Sequence, residues 1–376
     1  MLDTTDPNDL VVETARRFAQ ERLMPGAAAR EKAGRIEPDI LRELGELGFL
    51  GATNSAEWGG SEIDYVTYAQ AVIEIAAGDG SVSTLVSVHN APTCEILERY
   101  GTPEQKERWL RPMASGETVA SFALTEAGAG SDASGLRTRA VKRGDAYVID
   151  GSKQFISNAS VGKTTVLFAV TDPEAGKKGI SCFVVANDTP GFSVARVEHK
   201  LGQKASDSCA LSFDAMEVPE SQRIGAEGEG LKIALSTLES GRIGIAAQSV
   251  GMARAALEYA VGYAKERKQF GRPIIEHQAV GFRLVDAKTR LAAAHGLVME
   301  AARLKDAGKP ALEAAAMAKL FASEMAEAVC SAAIQTLGGY GYLADYPVER
   351  IYRDVRVCQI YEGTSDIQKV ILQRML

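Results

Sequence analysis

The sequence predicts an α+β protein with an N-terminal helical domain, a middle antiparallel β-barrel or sandwich domain, and a C-terminal four-helix-bundle domain. Apolar residues first recur at three- and four-residue steps, give way to short β-type segments near Val119, and return to long helical patterns after about Gly230. We therefore place the domains at residues 1–117, 118–226 and 227–376.

The first domain is predicted to be helical. Asp6 and Pro7 fit a helix cap and a first-turn proline, and Pro25 is expected to end that helix. The segment from Glu37 to Gly51 carries one apolar helical stripe, formed by Ile40, Leu44, Leu47 and Leu50.

The middle domain is predicted to consist of strands. Segments rich in β-branched and aromatic residues follow one another, separated by turns such as Asp150-Gly151. Because no helical stretch lies between them, a parallel βαβ sheet is excluded.

A glycine-rich segment in this domain, GAGSDA at residues 128–133, has the G-x-G-x-x-A spacing of a dinucleotide-binding turn. That interpretation requires a helix directly afterwards, whereas the next residues alternate as strands do. We therefore expect no Rossmann site. The glycines and the hydroxyls of Thr125 and Ser131 still suit a phosphate or a flavin, and a plain loop between strands is the alternative.

The C-terminal domain is predicted to contain long helices joined by short connections, which implies an antiparallel bundle. One helix carries a stripe from Val280 to Val298 and ends at Gly308, and another runs from near Ala311 to Thr336.

The composition favours a protein that acts on a small molecule. The net charge of -7 and the absence of a long basic run argue against nucleic-acid or anionic-membrane binding. The five cysteines show no metal or redox spacing, and we expect no metal site. No targeting segment or membrane span is recognised, so the bacterial cytoplasm is the expected location. His89 and His295 are expected to be packed structural residues.

Three motifs resemble signatures of the acyl-CoA dehydrogenase family. They are ALTEAGAGSDASG at residues 123–135, QTLGGYGYLADYPVERIYRD at residues 335–354, and IYEGTSDIQ at residues 360–368. They occur in order and at the right separations, and the resemblance covers nearly the whole chain.

The resemblance implies FAD-dependent α,β-dehydrogenation of an acyl-CoA thioester to the trans-2-enoyl-CoA. Glu362 would be the catalytic base that removes the α-proton while a hydride leaves the β-carbon for the flavin N5. By itself, a glutamate at this place is usually an exposed helix-end charge. Some relatives carry the base two residues downstream of the Glu239 position, where this chain has Gly241, so Glu239 is the only nearby competitor.

The resemblance also implies which residues contact FAD and substrate. Flavin contacts from the same chain are Phe122, Leu124, Thr125, Gly130, Ser131, Phe155, Ile156, Ser157, Thr364, Ser365 and Asp366. Contacts to the adenine-diphosphate half, made by a neighbouring subunit, are Arg267, Gln269, Phe270, His277, Gln278, Gln335, Gly338 and Gly339. Substrate contacts are Ser131, Glu239, Arg242, Tyr361 and Gly363. A helix-end cation is the alternative for Arg267, and a structural ion pair is the alternative for Arg242.

The implied partners are an acyl-CoA substrate, an electron-transfer flavoprotein and further copies of the chain in a homotetramer arranged as a dimer of dimers. Short or short-branched acyl groups are favoured, in fatty-acid or branched-chain amino-acid breakdown. Pro92 and Glu95 depart from the relatives and leave the floor of the acyl pocket open to question. The alternatives are an acyl-CoA oxidase that uses oxygen, and a nucleic-acid-associated or scaffold homologue with little activity.

Overall fold

The computed structural model describes residues 6–376. Its helices are α1 Pro7–Phe18, α2 Ala27–Ala33, α3 Pro38–Glu46, α4 Tyr65–Gly78, α5 Gly80–Val88, α6 Glu95–Tyr100, α7 Pro103–Gln105, α8 Arg111–Ala114, α9 Gly230–Glu266, α10 Gln278–Asp306, α11 Leu312–Leu337, α12 Pro347–Val355 and α13 Ser365–Gln373. Its strands are β1 Ala120–Ala123, β2 Arg139–Arg143, β3 Ala146–Ile156, β4 Thr164–Val170, β5 Ile180–Ala186, β6 Phe192–Val197, β7 Cys209–Pro219, β8 Arg223–Ile224, β9 Lys268–Gln269 and β10 Arg272–Pro273.

The N-terminal helices follow the predicted cap and stripe, with one exception. The Asp6 carboxylate accepts from the Asn8 N–H at 3.0 Å, and Pro7 is the first residue of α1. Helix α3 ends at Glu46 because Gly48 adopts a left-handed φ of 77°. Leu47 therefore turns outward and is 40% exposed, so its predicted burial was wrong.

The middle domain is a mainly antiparallel sheet with the order β6-β7-β3-β2-β4-β5-β8. Strand β1 joins it parallel to β4, and β2 meets β4 in parallel at Arg139 and Val170. The antiparallel prediction is confirmed for most of the sheet, and these parallel contacts were not foreseen because they join strands that are distant in sequence. Strands β4 and β5 are buried on both faces, since N-terminal helices cover the face that the other strands leave open.

The C-terminal helices α9, α10 and α11 pack through many small residues, and α4 of the N-terminal domain also packs on α9. Alanines let helix backbones approach closely, so α9 lies at the centre of the molecule between α4 and α11. This arrangement brings the middle of α9 against the turn that precedes α13.

The glycine-rich segment is followed by a three-residue 3-10 turn, Ala133–Gly135, and then by strand β2. No helix follows, as predicted, so the geometry of a Rossmann turn is absent. Within residues 6–376, no helix is long and apolar enough to span a membrane, and no group of three potential metal ligands is found.

Candidate functional site

The turn that carries Glu362 has an unusual backbone. Glu362 has a φ of 52° and Gly363 a φ of 90°, so two consecutive residues are left-handed. Helix α13 begins directly afterwards, where the Thr364 hydroxyl accepts from the Ile367 N–H at 3.2 Å. A left-handed glutamate costs on the order of 1–3 kcal/mol and persists only where its surroundings hold it.

The Glu362 side chain ends in a buried carboxylate group. The residue is half-buried as a whole, but both Oε1 and Oε2 are buried, and among the residues described here neither has a hydrogen-bond partner. A Cβ added to Gly241 on α9 would lie 2.9 Å from Glu362 Cδ and closer still to Oε2. Glycine at that position therefore makes the room that the carboxylate occupies.

Burial raises the pKa of Glu362 to about 7, and the positive charges of Lys319 and Arg242 oppose that rise. Lys319 Nζ donates to the Gly363 carbonyl at 2.7 Å. Burial also lowers the pKa of Lys319 to about 8 and lowers the pKa of Arg242. A carboxyl group with a pKa close to neutral is suited to proton transfer.

Lys319 was not found by sequence reasoning, although a signal was present. It is the single lysine of α11, and the residues one turn away, Ala315, Ala316 and Ala322, are buried. A fully buried lysine on an alanine-rich stripe is rare and indicates a specific role.

Tyr361 is fixed by a buried polar network. Its hydroxyl donates to Gln248 Oε1 at 2.5 Å, and Gln203 Nε2 lies 3.5 Å from the same hydroxyl. Thr84 donates to Gln203 and accepts from Gln248, each at 2.5 Å. Because Thr84, Gln203 and Gln248 come from α5, the middle domain and α9, the network joins all three domains next to Glu362.

Glu239, the competing base, lies in a different environment. Its carboxylate is 4.0 Å from Lys305 Nζ, which is 3.1 Å from Glu95. Glu95 also pairs with Arg99 at 3.1 Å. Glu239 is thus part of an ion-pair cluster. The Glu362 carboxylate instead faces Gly241, so the geometry favours Glu362 over Glu239 as the candidate base.

The predicted flavin contacts of the middle domain come together in two adjacent segments. The Gln154 N–H donates to the Thr125 carbonyl at 2.9 Å, which sets residues 122–131 beside residues 155–157. Leu124 and Ile156 are buried, Phe122 and Thr125 are half-buried, and Gly130 and Ser131 are exposed. Ser157 is half-buried, while Phe155 is 63% exposed with a φ of 61°.

A buried ion pair that the sequence did not reveal holds this loop. Lys153 Nζ donates to the Leu124 carbonyl at 3.0 Å and to Glu126 Oε1 at 2.8 Å. Glu126 also accepts from the N–H groups of Arg137 and Thr138 at 2.7 and 2.9 Å. The loop is thus fixed at its base, while its glycine-rich tip is open.

Half of the predicted adenine-diphosphate residues line one cavity of about 420 Å³. Its lining consists of Tyr263, Arg267, Gln269, Ile274, Thr336, Leu337, Gly338, Gly339, Tyr340 and Leu343. Phe270, His277, Gln278 and Gln335 lie outside this lining: Phe270 is 95% exposed and its ring packs edge-on against His277, while Gln278 and Gln335 are exposed on α10 and α11.

These residues fit a flavin dinucleotide. Arg267 is exposed and, as far as the described chain shows, forms no ion pair, and the added Cβ of Gly338 or Gly339 would meet nothing within 4 Å. An available guanidinium beside accessible backbone suits a pyrophosphate. The exposed ring of Phe155 offers the apolar face that an isoalloxazine would cover.

The predicted substrate residues lie mostly around the base. Arg242 is next to Gly241 on α9, and its Nε and Nη1 atoms are buried with no hydrogen-bond partner in the described part of the chain. Tyr361 and Gly363 flank Glu362, whereas Ser131 stands on the exposed loop of the middle domain. Thr364 and Ser365 are half-buried and Asp366 is exposed at the start of α13.

Of the two histidines that were predicted to be packed, His89 is buried and His295 is not. His89 is fully buried, with Nε2 at 3.0 Å from the Met113 carbonyl and Nδ1 accepting from the Ala120 N–H at 3.0 Å. Burial lowers its pKa to about 4, so it is neutral at physiological pH. His295 is exposed on α10, so the prediction that it is packed was wrong.

Family models match three successive parts of the chain. They describe the acyl-CoA dehydrogenase N-terminal domain at residues 5–117, the middle domain at residues 121–216 and the C-terminal domain at residues 228–376.

Individual proteins are similar over almost the whole chain. A short-chain specific acyl-CoA dehydrogenase of Clostridium acetobutylicum is 42% identical, with 98% of this chain and 97% of the relative covered. The butyryl-CoA dehydrogenase structure from Megasphaera elsdenii has a TM-score of 0.97 at 39% identity, with 100% of this chain and 99% of that chain covered. A chain in a structure described as the electron transferring flavoprotein of Acidaminococcus fermentans has a TM-score of 0.97 at 42% identity, with 100% of this chain and 99% of that chain covered.

Proposed function

Since the chain belongs to the acyl-CoA dehydrogenase family and is an FAD-dependent acyl-CoA dehydrogenase, we propose that it converts short or short-branched acyl-CoA thioesters to trans-2-enoyl-CoA with Glu362 as the base. The observation that carries this proposal is the buried Glu362 carboxylate opposite Gly241, which has no hydrogen-bond partner among residues 6–376.

The proposed mechanism starts with proton removal. Glu362 accepts the α-proton of the thioester, and its apolar surroundings make the carboxylate a stronger base than an exposed glutamate. Bound FAD supplies the hydride acceptor for the β-carbon. The Glu362 N–H donates to the thioester carbonyl as negative charge develops there, and Gly363 allows the thioester to approach closely.

Other residues of the site would bind the substrate and the cofactor. The Nε and Nη1 atoms of Arg242, which have no hydrogen-bond partner in the described chain, would bind a polar part of the CoA thioester. The predicted FAD contacts would hold the flavin beside residues 122–131 and 155–157 and the adenine-diphosphate half in the cavity at Arg267.

The proposal of a short acyl group rests on how tightly α4, α5 and α9 pack around Tyr68, Ser87 and Gly244, which form one wall of the site. Tyr68 on α4 is buried, and Ser87 on α5 packs so tightly against Gly244 of α9 that a Cβ at Gly244 would meet its hydroxyl. Beyond them, Glu95 forms the buried ion pairs with Lys305 and Arg99. A tightly packed wall backed by charged residues leaves little apolar volume for a long chain.

Turnover across straight and branched acyl-CoA thioesters from four to sixteen carbons tests this proposal, with one artificial electron acceptor throughout. We expect the highest kcat/KM at about four to six carbons, since each additional buried CH₂ must displace packed side chains. An optimum beyond about twelve carbons would contradict the short-acyl assignment and leave the reaction class intact.

We also propose that electrons pass to an electron-transfer flavoprotein. The support is the similarity to the chain in the Acidaminococcus fermentans structure. Reduction of the acceptor is measured without oxygen and compared with peroxide formation in air. Rapid peroxide formation without any acceptor would favour the oxidase alternative, and DNA binding that survives physiological salt would favour the nucleic-acid-associated alternative.

A homotetramer is proposed because the two halves of the cofactor site are separate in one chain. The cavity at Arg267 is lined by no residue of the middle domain. On α10, Phe282 and Val285 are 63% and 60% exposed beside an apolar cavity of about 440 Å³, as expected of a subunit interface. Light scattering that gives the mass of one 40.0 kDa chain for the FAD-bound protein would contradict it. The domain boundaries and the cytoplasmic location stay predictions.

A further inference from the structure

The position of Glu362 is set by its backbone and not by its side chain. Its carboxylate oxygens have no hydrogen-bond partner within residues 6–376, so nothing polar aims them. The left-handed backbone of Glu362 and Gly363 must therefore be held by contacts to the main chain. Gln368 Nε2 donates to the Glu362 carbonyl at 3.3 Å and to the Gly363 carbonyl at 2.9 Å.

Lys319 supplies the remaining contact, a 2.7 Å hydrogen bond from Nζ to the Gly363 carbonyl. Lys319 lies on α11 and reaches the turn across the helix interface, whereas Gln368 lies on α13, which follows the turn in sequence. Lys319 thus joins the Gly363 backbone directly to α11, beside the bond that joins the Tyr361 side chain to Gln248 of α9.

A purely structural role explains Lys319 poorly. The side chain has no exposed surface, and no carboxylate in the described chain lies within ion-pair distance of it. Burying an ammonium group without an ion pair costs several kcal/mol, and an apolar residue of the same length would fill the space at lower cost. A charge kept at such a cost next to the base indicates that the base uses it.

We propose that Lys319 is a positioning residue for the base: it holds the Gly363 carbonyl so that the Glu362 carboxylate points at Gly241, and its charge favours the ionised carboxylate. This inference rests on the proposed function of Glu362. The other titratable groups that face Glu362 are Arg242 on α9, the Tyr68 phenol on α4 and, through Arg242, Glu239. Glu324 and the Cys358 thiol also face Lys319, but neither contacts the Gly363 carbonyl.

The test compares the FAD-bound Lys319→Met and Lys319→Arg variants with the wild-type protein. Lys369→Met is the matched control: Lys369 lies on α13 close to the same turn, with its side chain 58% exposed in a surface ion pair with Glu324. Four quantities are measured: Tm, the affinity for an unreactive acyl-CoA analogue from the flavin spectrum, kcat and KM, and the pH midpoint of kcat/KM.

Lys319→Met is expected to keep FAD and the wild-type Tm or a higher one, because an unpaired buried charge is removed. Its kcat should fall about 10- to 100-fold, since a displacement of about 1 Å in the base has an effect of that size. The pH midpoint should move to higher pH because the ionised carboxylate loses a neighbouring cation. Lys319→Arg should restore the midpoint, and Lys369→Met should match the wild type in all four quantities.

The possible failures are distinguishable. The inference is overturned if Lys319→Met has the wild-type kcat and an unshifted pH midpoint. It is also overturned if Lys319→Met has a lower Tm and no longer binds FAD, because that result assigns a structural role. Lys319→Arg without recovery of the midpoint also overturns it. If Glu362→Gln is inactive while Lys319→Met is unaffected, only the role of Lys319 is wrong. If both variants are fully active, the assignment of the base itself is wrong.

Discussion

Glu362→Gln is expected to lower kcat by about 10²–10⁴-fold while keeping the fold and the bound FAD, because a positioned general base contributes that much and the carboxylate that lies against Gly241 is that of Glu362. Glutamine has the same shape as glutamate, and the carboxylate oxygens that it replaces make no hydrogen bond in the described chain. The change therefore removes the proton acceptor without breaking a contact. It is measured by kcat with an artificial acceptor and by the spectral change on binding an acyl-CoA analogue.

The pH profile of the wild-type protein checks the same assignment. The base must be ionised to accept a proton, and burial raises its pKa to about 7. The kcat/KM of the wild type should therefore be low at pH 5, rise through about pH 7 and level off above it, and the residual rate of Glu362→Gln should lack this rise. Glu239→Gln is the control and should keep the rise. Near-normal activity of Glu362→Gln, or loss of the rise in Glu239→Gln, would move the base to Glu239.

Gly241→Ala is expected to lower kcat about 100-fold, because the added methyl group must displace the carboxylate by about 1 Å. The new Cβ would lie 2.9 Å from Glu362 Cδ and closer still to the Oε2 oxygen. The α9 backbone cannot move away because α9 packs between α4 and α11. Overpacking costs about 1–3 kcal/mol and the gain from alanine in a helix offsets about 0.5–1 kcal/mol, so Tm should fall only slightly.

Gly262→Ala is the matched control for this change. Gly262 lies on the same helix, and an added Cβ there would meet nothing within 4 Å. The same substitution should therefore stabilise the protein by about 0.5–1 kcal/mol and leave kcat at the wild-type value. If Gly241→Ala and Gly262→Ala have equal kcat values, the carboxylate is free to move, and the packing argument is wrong.

The elements that the sequence predicted are those whose signal is local. The turn sequence around Asp150-Gly151 and the run of β-branched residues identify strands, and the three- and four-residue spacing identifies α9 to α11, because burial repeats with the period of the backbone. The failures at Leu47 and at the β1–β4 pairing arise where the apolar period gives no signal. The first depends on where a helix ends, and the second joins segments that no short pattern relates.

The candidate site divides in the same way. Each of its three motifs is an uninterrupted stretch of sequence and can be recognised without the structure. The motifs therefore point to the family, to FAD and to Glu362. The contacts that give Glu362 its character come from other parts of the chain: Gly241 lies on α9, Lys319 lies on α11, 44 residues before Gly363, and Gln248 holds Tyr361 from α9. Lys153 and Glu126 hold the flavin loop through side chains from separate segments.

The sequence by itself thus determined the fold class, the family resemblance and the identity of the base candidate, since each is encoded in residue types at short spacing. Only the tertiary structure decided that the carboxylate is buried with no hydrogen-bond partner in the described part of the chain, that Gly241 makes its space and that Lys319 lies beside it. Desolvation and the proximity of charges depend on which distant segments pack together, and these two effects set the proton affinity of Glu362.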